Sequence, residues 1–466
     1  MSGYFLIGES KVRPGAYFNI GKNGDMSTTD VVNGVTAVIF RSDFGPVGYA
    51  VELSADEGYE KTYGTGGTTD AMRHAIDGGA KTIIACRLGS GGTAASITLK
   101  GEDDEDAVTI TAKYPGEKDF SVTIKEKLAD PAVKQCIIYS GTKIVETIDF
   151  DTSAQALVNA ISSGSNFVAE VKKGKEESVL ANLLQGKMES GTDPAVTNED
   201  YASAFAAVEP YMFNTICVDT EDPSVHLLLA AFIDRIFESG NLTQAVVAEK
   251  SSVDIETRMS RAAAFNDEKM NYVLNSKVDV SGETLEGYQT AARIAGMIGS
   301  VSSKLSLTHT VITGFSDLYE RMANPDVIRA EKNGCIVLTM NTKGQIWIDS
   351  AINTLITLPD NKDAGWKKIR RTKTRFELLR RCNETTDELV GKVDNDTNGR
   401  KTIIGQLLSV GSDMISEGKL ASFNVAESDL YSADVDSCWF VIDVIDKDSA
   451  EHIYLFYNFQ FSTKIA

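Results

Sequence analysis

From residue 195 onward, amphipathic helical segments alternate with short apolar segments, and this alternation restricts the possible folds more than any other feature. Apolar residues recur at helical spacing over 198–209, 223–239, 257–265 and 286–298, and short apolar runs lie at 215–218, 243–248, 270–274 and 335–338. A helix between two strands is the usual connection of parallel strands. This part of the chain is therefore predicted to form an α/β layer with a mostly parallel sheet.

The flanking sequence has different patterns, so the 466 residues are expected to form several domains. Strand, helix and strand patterns at 35–45, 68–80 and 82–89 form a βαβ unit, and closely spaced strands after the glycine-rich 89–96 favour a β-sandwich. An α+β C-terminal domain is indicated by a basic helix at 366–389, a helix at 401–417 and strands at 438–444 and 452–461. The predicted ranges are an arm 1–28, a βαβ region 29–91, a β-sandwich 92–190, an α/β domain 191–345, a C-terminal domain 346–450 and a strand arm 451–466.

Both ends of the chain have the pattern of strands without a hairpin partner. Near the start, "RPGAYFNI" places a proline that disfavours helix before a short strand at 17–20. Near the end, apolar residues alternate as a half-buried strand requires. The candidate arm residues are Arg13, Pro14, Gly15, Tyr17, Phe18 and Ile20 at one end, and Ile453, Leu455, Tyr457, Phe459 and Phe461 at the other.

The charge is unevenly distributed. The chain has a net charge of −20, but residues 366–381 hold eight basic side chains and a single acidic one, Glu377. Ile369, Phe376 and Leu379 recur at roughly helical spacing, so the apolar face could pack inward while the basic face is displayed to an acidic partner. Ion pairs within the acidic chain explain the charge equally well, and nucleic acid is a third, weaker interpretation.

Catalytic, cofactor and metal motifs are not found in the sequence. His74, His226, His309 and His452 lie in unrelated contexts, no G-x-S-x-G occurs, and the six cysteines form no C-x-x-C pair. The segment "DNDTNG" at 394–399 resembles a calcium loop, but Gly405 stands where the bidentate carboxylate belongs. We therefore expect no catalytic residue, no cofactor and no metal, although an α/β enzyme of unknown substrate in the cytoplasm stays open as the alternative.

The N-terminus lacks a basic stretch followed by an apolar one, and no apolar run approaches the ~20 residues that cross a bilayer. We expect a cytoplasmic protein without membrane insertion.

Several short motifs together resemble contractile phage tail sheath proteins, especially those of phages, prophages and R-type bacteriocins of Gram-positive bacteria. They are "RPGAY" at 13–17, "FGP" at 44–46, "YG" at 63–64, "GGA" at 78–80 before a strand ending at Arg87, "YPG" at 114–116 and "WKKIRR" at 366–371. Each motif is weak alone, but their order and spacing together are fairly specific. The resemblance covers essentially the whole chain.

The resemblance implies a structural protein, not an enzyme. The 92–190 sandwich would be an insertion, and 191–345 a subtilisin-like domain without protease activity. Subunits would stack as hexameric rings around an inner tail tube protein, contact baseplate and tail terminator proteins but no nucleic acid, and contract to drive the tube through a cell envelope. Assembly would occur in the bacterial host cytoplasm, giving a virion tail or a bacteriocin particle. Terminal arms would link the subunits, and the tube-facing basic patch would be Lys367, Lys368, Arg370, Arg371, Arg375, Arg380 and Arg381.

Overall fold

The computed structural model describes residues 33–161 and 165–459, together with two short strands near the N-terminus. Within these ranges, none of the helices has the length and apolar character that a membrane crossing needs. In chain order, the strands are β1 Gly3–Tyr4, β2 Tyr17–Phe18, β3 Val35–Phe40, β4 Ala50–Ser54, β5 Thr82–Arg87, β6 Ser96–Lys100, β7 Asp106–Ala112, β8 Phe120–Lys127, β9 Asp130–Ser140, β10 Lys143–Asp151, β11 Phe167–Val171, β12 Leu183–Lys187, β13 Thr215–Val218, β14 Gln244–Ala248, β15 Met270–Val273, β16 Val278–Val280, β17 Glu283–Leu285, β18 Phe315–Leu318, β19 Cys335–Ile336, β20 Leu338–Met340, β21 Ile346–Ile348, β22 Leu420–Glu427 and β23 Phe440–Asp446.

The helices are α1 Glu60–Tyr63, α2 Asp70–Asp77, α3 Ala154–Ala160, α4 Asn198–Val208, α5 Pro223–Glu238, α6 Ile255–Phe265, α7 Gly287–Ser300, α8 Asn324–Lys332, α9 Ile369–Leu389 and α10 Thr397–Ser416, with a 3-10 turn at Ala364–Lys367. Several of them begin at a side-chain cap. Asp222 accepts a hydrogen bond from the N–H of Ser224 at the start of α5, and Asp254 accepts one from Thr257 at the start of α6.

The centre of the molecule is a seven-stranded sheet in the order β19-β15-β14-β13-β3-β5-β4. Every neighbouring pair is parallel except β4–β5, which is antiparallel. Helices α2 and α7 cover one face, and α4, α5, α6 and α8 cover the other. The inner strands are buried on both sides, which is why they read as continuous apolar runs.

The mixed α/β multidomain fold predicted from the sequence is confirmed, but one separation in it is not found. Strands β3, β4 and β5 of the 29–91 region lie in the same sheet as the strands of the 191–345 region. The chain leaves this sheet after β5 and returns before α4 through bridges that pair Ser90 with Ala195 and Thr93 with Thr192. A local pattern cannot reveal this, because the pairing joins residues more than a hundred positions apart.

The excursion between these bridges forms two antiparallel sheets, β10-β9-β8-β12 and β11-β7-β6. Apolar side chains from both sheets form one core, with Val122 and Cys136 from the first sheet and Ile110 and Phe167 from the second. We call these residues, 90–195, the insert.

The C-terminal part contains α9, α10 and the hairpin β22–β23. Helix α10 packs Leu407, Val410 and Met414 against Leu420 and Val425 of β22. Beyond β23, residues 451–459 form no strand, so the strand predicted at 452–461 is wrong within the described residues. The alternating pattern there belongs to a segment whose apolar face has no sheet to pack on in the described part of this chain.

Candidate assembly surfaces

The residues that follow Glu451 expose an unusual amount of apolar surface. We name residues 452–459 the C-terminal segment. The exposed fractions are 73% for Ile453, 81% for Tyr454, 66% for Leu455, 92% for Phe456, 71% for Tyr457 and 90% for Phe459. Side chains on both faces are exposed, whereas the sequence predicted one buried face. Contiguous exposed apolar surface of this kind marks an interaction site.

The hairpin β22–β23 offers the complementary feature. Its two strands pair only with each other among the described residues. Val441, Ile442 and Ile445 of β23 are exposed by 44%, 37% and 47%. An isolated two-stranded sheet is marginally stable, and its edges present unpaired N–H and C=O groups to any further strand.

The predicted N-terminal arm is described only in part. Tyr17 and Phe18 form β2, which pairs in parallel with Gly3 and Tyr4 of β1. The other arm candidates at this end, Arg13, Pro14, Gly15 and Ile20, lie outside the described residues, as does Phe461 at the other end. The role of these residues stays a prediction.

The basic residues of 366–381 face acidic partners inside the protein. The Nε atoms of Arg371 and Arg375 donate to Asp446 Oδ2 at 2.8 and 3.0 Å, and Arg375 Nη1 donates to Asp363 Oδ1 at 2.7 Å. The Arg375 guanidinium also lies 4.6 Å from the centre of the Trp366 ring. Burial opposes ionisation of Asp446, but the two arginines outweigh it and lower the pKa of the carboxyl group.

The remaining basic candidates also have internal contacts, and each of the seven is either buried or only partly exposed. Lys368 Nζ lies 2.8 Å from Asp448 Oδ2, and Arg370 Nη1 lies 3.9 Å from Asp448 Oδ1. Lys367 Nζ and Arg380 Nη2 donate to the carbonyl oxygens of Ile356 and Leu242, and Arg381 pairs with Glu377.

The expectation of a displayed basic face is therefore wrong, and the alternative of ion pairs within the chain describes the geometry. The acidic partners Asp363, Asp446 and Asp448 come from outside the helix, so the local charge count could not reveal them. Contact with a tube remains a prediction.

Three of the sequence motifs meet where the insert joins the central sheet. Arg87 at the end of β5 is fully buried. Its guanidinium donates to the carbonyl oxygens of Ser42, Gly45 and Pro115 at 2.9, 2.8 and 2.8 Å. It also lies 3.6 Å from Asp193. One side chain thus connects the "FGP" loop, the "YPG" turn and the returning chain; we call this contact region the neck.

Packing at the neck is close as well as polar. The Phe44 ring meets Tyr114 and Phe120 edge to face, with centroids 5.5 and 5.2 Å apart. Gly116 has φ +157°, and a Cβ there would stand 1.8 Å from the Asp43 carbonyl oxygen. These motifs served only as family markers in the sequence; their shared structural role becomes visible when the fold brings them together.

In α/β sheets, ligands usually bind beyond the carboxyl ends of the strands where the strand order reverses, which here lies between β3 and β13. At that point the buried Asp219 carboxylate accepts hydrogen bonds from Arg41 Nε at 2.7 Å and from the Tyr201 hydroxyl at 2.6 Å. An α/β enzyme would hold its substrate at this place. Here the Asp219 carboxylate is already hydrogen-bonded to Arg41 and Tyr201 of the same chain.

Asp70, His74 and Glu283 form the one group of possible metal ligands found among the described residues. Arg73 Nη2 donates to both Glu283 oxygens at 3.1 Å and lies 3.4 Å from His74 Nε2. Burial and the Arg73 charge lower the pKa of His74 to about 4. Since a guanidinium already holds the carboxylate, the arrangement does not favour a metal ion.

Comparison with known proteins agrees with the sequence resemblance. Residues 194–354 match the family model "Phage tail sheath protein central domain". The sheath tail protein of Desulfitobacterium hafniense superposes with a TM-score of 0.70 at 19% identity, covering 93% of this chain and all of that one. The sheath tail protein of Listeria innocua gives 0.68 at 21% identity, covering 90% and 96%.

Two further relatives extend this result. The contracted helical sheath of the anti-feeding prophage gives a TM-score of 0.56 at 12% identity, covering 97% of this chain and 99% of that one. The uncharacterised protein YqbK of Bacillus subtilis is 22% identical over 97% of this chain and 98% of its own length. The resemblance to contractile tail sheath proteins is thereby confirmed, and the shared fold extends beyond the matched domain to nearly the whole chain.

Proposed function

We propose that this chain is the structural subunit of a contractile tail sheath, which polymerises helically around an inner tube and contracts to drive the tube through a cell envelope. The observation that carries the proposal is the coexistence, in a chain with the sheath fold, of an exposed apolar C-terminal segment and a hairpin with open edges. The alternative of an α/β enzyme is not favoured, because the chain resembles sheath proteins over nearly its whole length and its own Arg41 and Tyr201 already bind the buried Asp219 carboxylate at the strand-order reversal.

The C-terminal segment of one subunit would add a strand to β22–β23 of a neighbour. A strand rises about 3.3 Å per residue, so residues 452–459 reach roughly 26 Å, comparable to the length of β23. Main-chain hydrogen bonds would supply affinity, and the alternating apolar side chains would fix the register. The donor and acceptor would be different surfaces, so the contact would be head-to-tail, and such contacts extend as an open helix when the rotation between subunits does not close a ring.

The N-terminal arm would supply a second connection of the same kind, and subunits would stack as hexameric rings. Further partners would be the inner tube, the baseplate and the tail terminator. Tube contact by the basic residues 367–381 would compete with internal ion pairs, because Asp363 and Asp446 already neutralise Arg371 and Arg375.

Contraction would be a transition between two arrangements of rigid subunits that stay joined through their terminal arms. The buried contacts of Arg87 support this, because they fasten the insert to the central sheet. We also propose that the central layer is a subtilisin-like sheet without protease activity; its parallel strand order and its helices on both faces support that assignment.

Electron microscopy and sedimentation of the full chain and of a chain ending at residue 451 test the proposal. The full chain should form tubular polymers on concentration, whereas the shortened chain should remain a folded monomer. Phe456→Ser with Phe459→Ser should act like the truncation, and Tyr319→Ser, at a site 68% exposed, serves as the matched control. Discrete small oligomers of the full chain, or normal tubes from the shortened chain, would contradict it.

A further inference from the structure

Polar contacts hold residues 446–451, which come directly before the C-terminal segment. Asp446 receives the two arginines described above, and the N–H of Lys447 donates to the Lys419 carbonyl oxygen at 3.0 Å. Lys368, directly before α9, bridges Asp448 and Glu451, with Nζ at 2.8 and 3.0 Å from their oxygens.

Glu451 also contacts a second part of the chain, near residues 306–308. Its Oε1 accepts hydrogen bonds from the hydroxyls of Ser306 and Thr308 at 2.9 and 3.3 Å, and from Ser449 at 3.0 Å. Ser306 and Thr308 belong to the connection between α7 and β18, so Glu451 joins the C-terminal end both to the residue before α9 and to this connection. Burial opposes its ionisation, yet the Lys368 ammonium and the Ser306 hydroxyl lower its pKa.

Exposure changes abruptly at this point. The Glu451 side chain is 16% exposed, whereas Ile453, two residues later, is 73% exposed. The contacts therefore end where the apolar surface begins.

We propose that residues 446–451 form a latch, closed by Lys368, that fixes the position and direction in which the C-terminal segment leaves the subunit. The purpose of the latch rests on the proposed function, but its existence does not. Fixing the exit restricts the positions that the segment samples, so less conformational freedom is lost when it pairs with a second copy of this chain. The ion pairs around Lys368 are partly exposed, so salt screens them and opens the latch reversibly.

Limited trypsin digestion of the monomeric full chain tests the latch. Lys447 has an exposed side chain, but its backbone is held, so cleavage after it requires local opening. Mass spectrometry follows the fragment ending at residue 447. Lys368→Met and Glu451→Gln should each raise its rate of formation roughly threefold, as expected for loss of a partly exposed ion pair.

The matched control is Arg321→Met, which removes the cation of an exposed pair with Asp317. It should cleave after Lys447 at the wild-type rate. The double variant Lys368→Met with Glu451→Gln should cleave no faster than Lys368→Met alone, because the ion pair that Glu451→Gln removes is already lost in Lys368→Met. Added salt should accelerate wild-type cleavage more than cleavage of Lys368→Met.

The latch would be overturned if both single variants were cleaved after Lys447 at the wild-type rate. It would also be overturned if the rate increases of the two single changes multiplied in the double variant, or if salt accelerated cleavage of the wild type and of Lys368→Met equally. Unfolding would be detected as cleavage at many lysines, and the near-isosteric Glu451→Gln keeps the test valid if Lys368→Met is unstable. The assay uses monomers, so its outcome is independent of polymerisation. In electron microscopy, the latch variants should need roughly threefold more protein to form tubes.

Discussion

The neck and the C-terminal segment are built in opposite ways. At the neck, Arg87 is fully buried and three carbonyl oxygens accept from it. In the C-terminal segment, Phe456 and Phe459 are about nine-tenths exposed, at 92% and 90%. The neck is complete within one chain, whereas the C-terminal segment would, under the proposed function, pair with a second copy, so changes at the two should have separate effects on stability and assembly.

The largest loss of stability is expected from Arg87→Met. The substitution keeps much of the side-chain volume but leaves the carbonyl oxygens of Ser42, Gly45 and Pro115 without their donor. Removing one partner of a buried charged network typically costs about 3–5 kcal/mol. Urea unfolding of the monomer measures the change. Arg73→Met, which removes an exposed pair with Glu283, should cost less than about 1 kcal/mol; equal losses in the two variants would contradict the role of the neck.

Asp446→Asn should have an intermediate effect, because Arg371 and Arg375 then lose a charged acceptor that is 4% exposed. We expect a loss of about 1–3 kcal/mol at neutral pH. Asp443→Asn, a half-buried aspartate on the same strand, is the control. A loss no larger than that of Asp443→Asn would show that the basic residues of α9 do not depend on their internal partner.

The same substitution should change the acid sensitivity of the protein. The folded-state pKa of Asp446 is lowered, so its stabilising contribution is complete above its unfolded pKa of about 3.9 and is lost as pH falls through the folded value. Urea unfolding at several pH values should give a smaller loss of stability on acidification for Asp446→Asn than for the wild type. Parallel pH profiles would be inconsistent with this linkage.

The smallest effect on stability is expected from Phe459→Ser, within about 0.5 kcal/mol, because an exposed side chain loses few contacts in the monomer. Polymerisation should nevertheless be lost, as seen by sedimentation and electron microscopy. A variant that is strongly destabilised, or that polymerises normally, would remove the distinction between the two regions.

The sequence was sufficient to predict most local structure, because helix and strand periodicity is encoded locally. The ranges predicted for α4, α5 and the central strands agree with the structure to within a few residues. The sequence alone did not predict the contacts between distant parts of the chain. The ion pair between Arg371 and Asp446 spans 75 positions, and the contact of Arg87 with Pro115 joins the central sheet to the insert. The apolar alternation near the end predicted a strand, but residues 451–459 form none, and the described part of the chain supplies no sheet that would bury their apolar face.

The most direct test of the central claim is photocrosslinking between isotopically distinct copies. A benzophenone amino acid at position 456 is placed in unlabelled protein, which is polymerised together with ¹⁵N-labelled wild type, and the crosslinked peptides are identified by mass spectrometry. The account predicts crosslinks from the unlabelled C-terminal segment to labelled peptides within residues 420–446. Crosslinks confined to unlabelled peptides of the same copy, or distributed over unrelated surfaces, would contradict it.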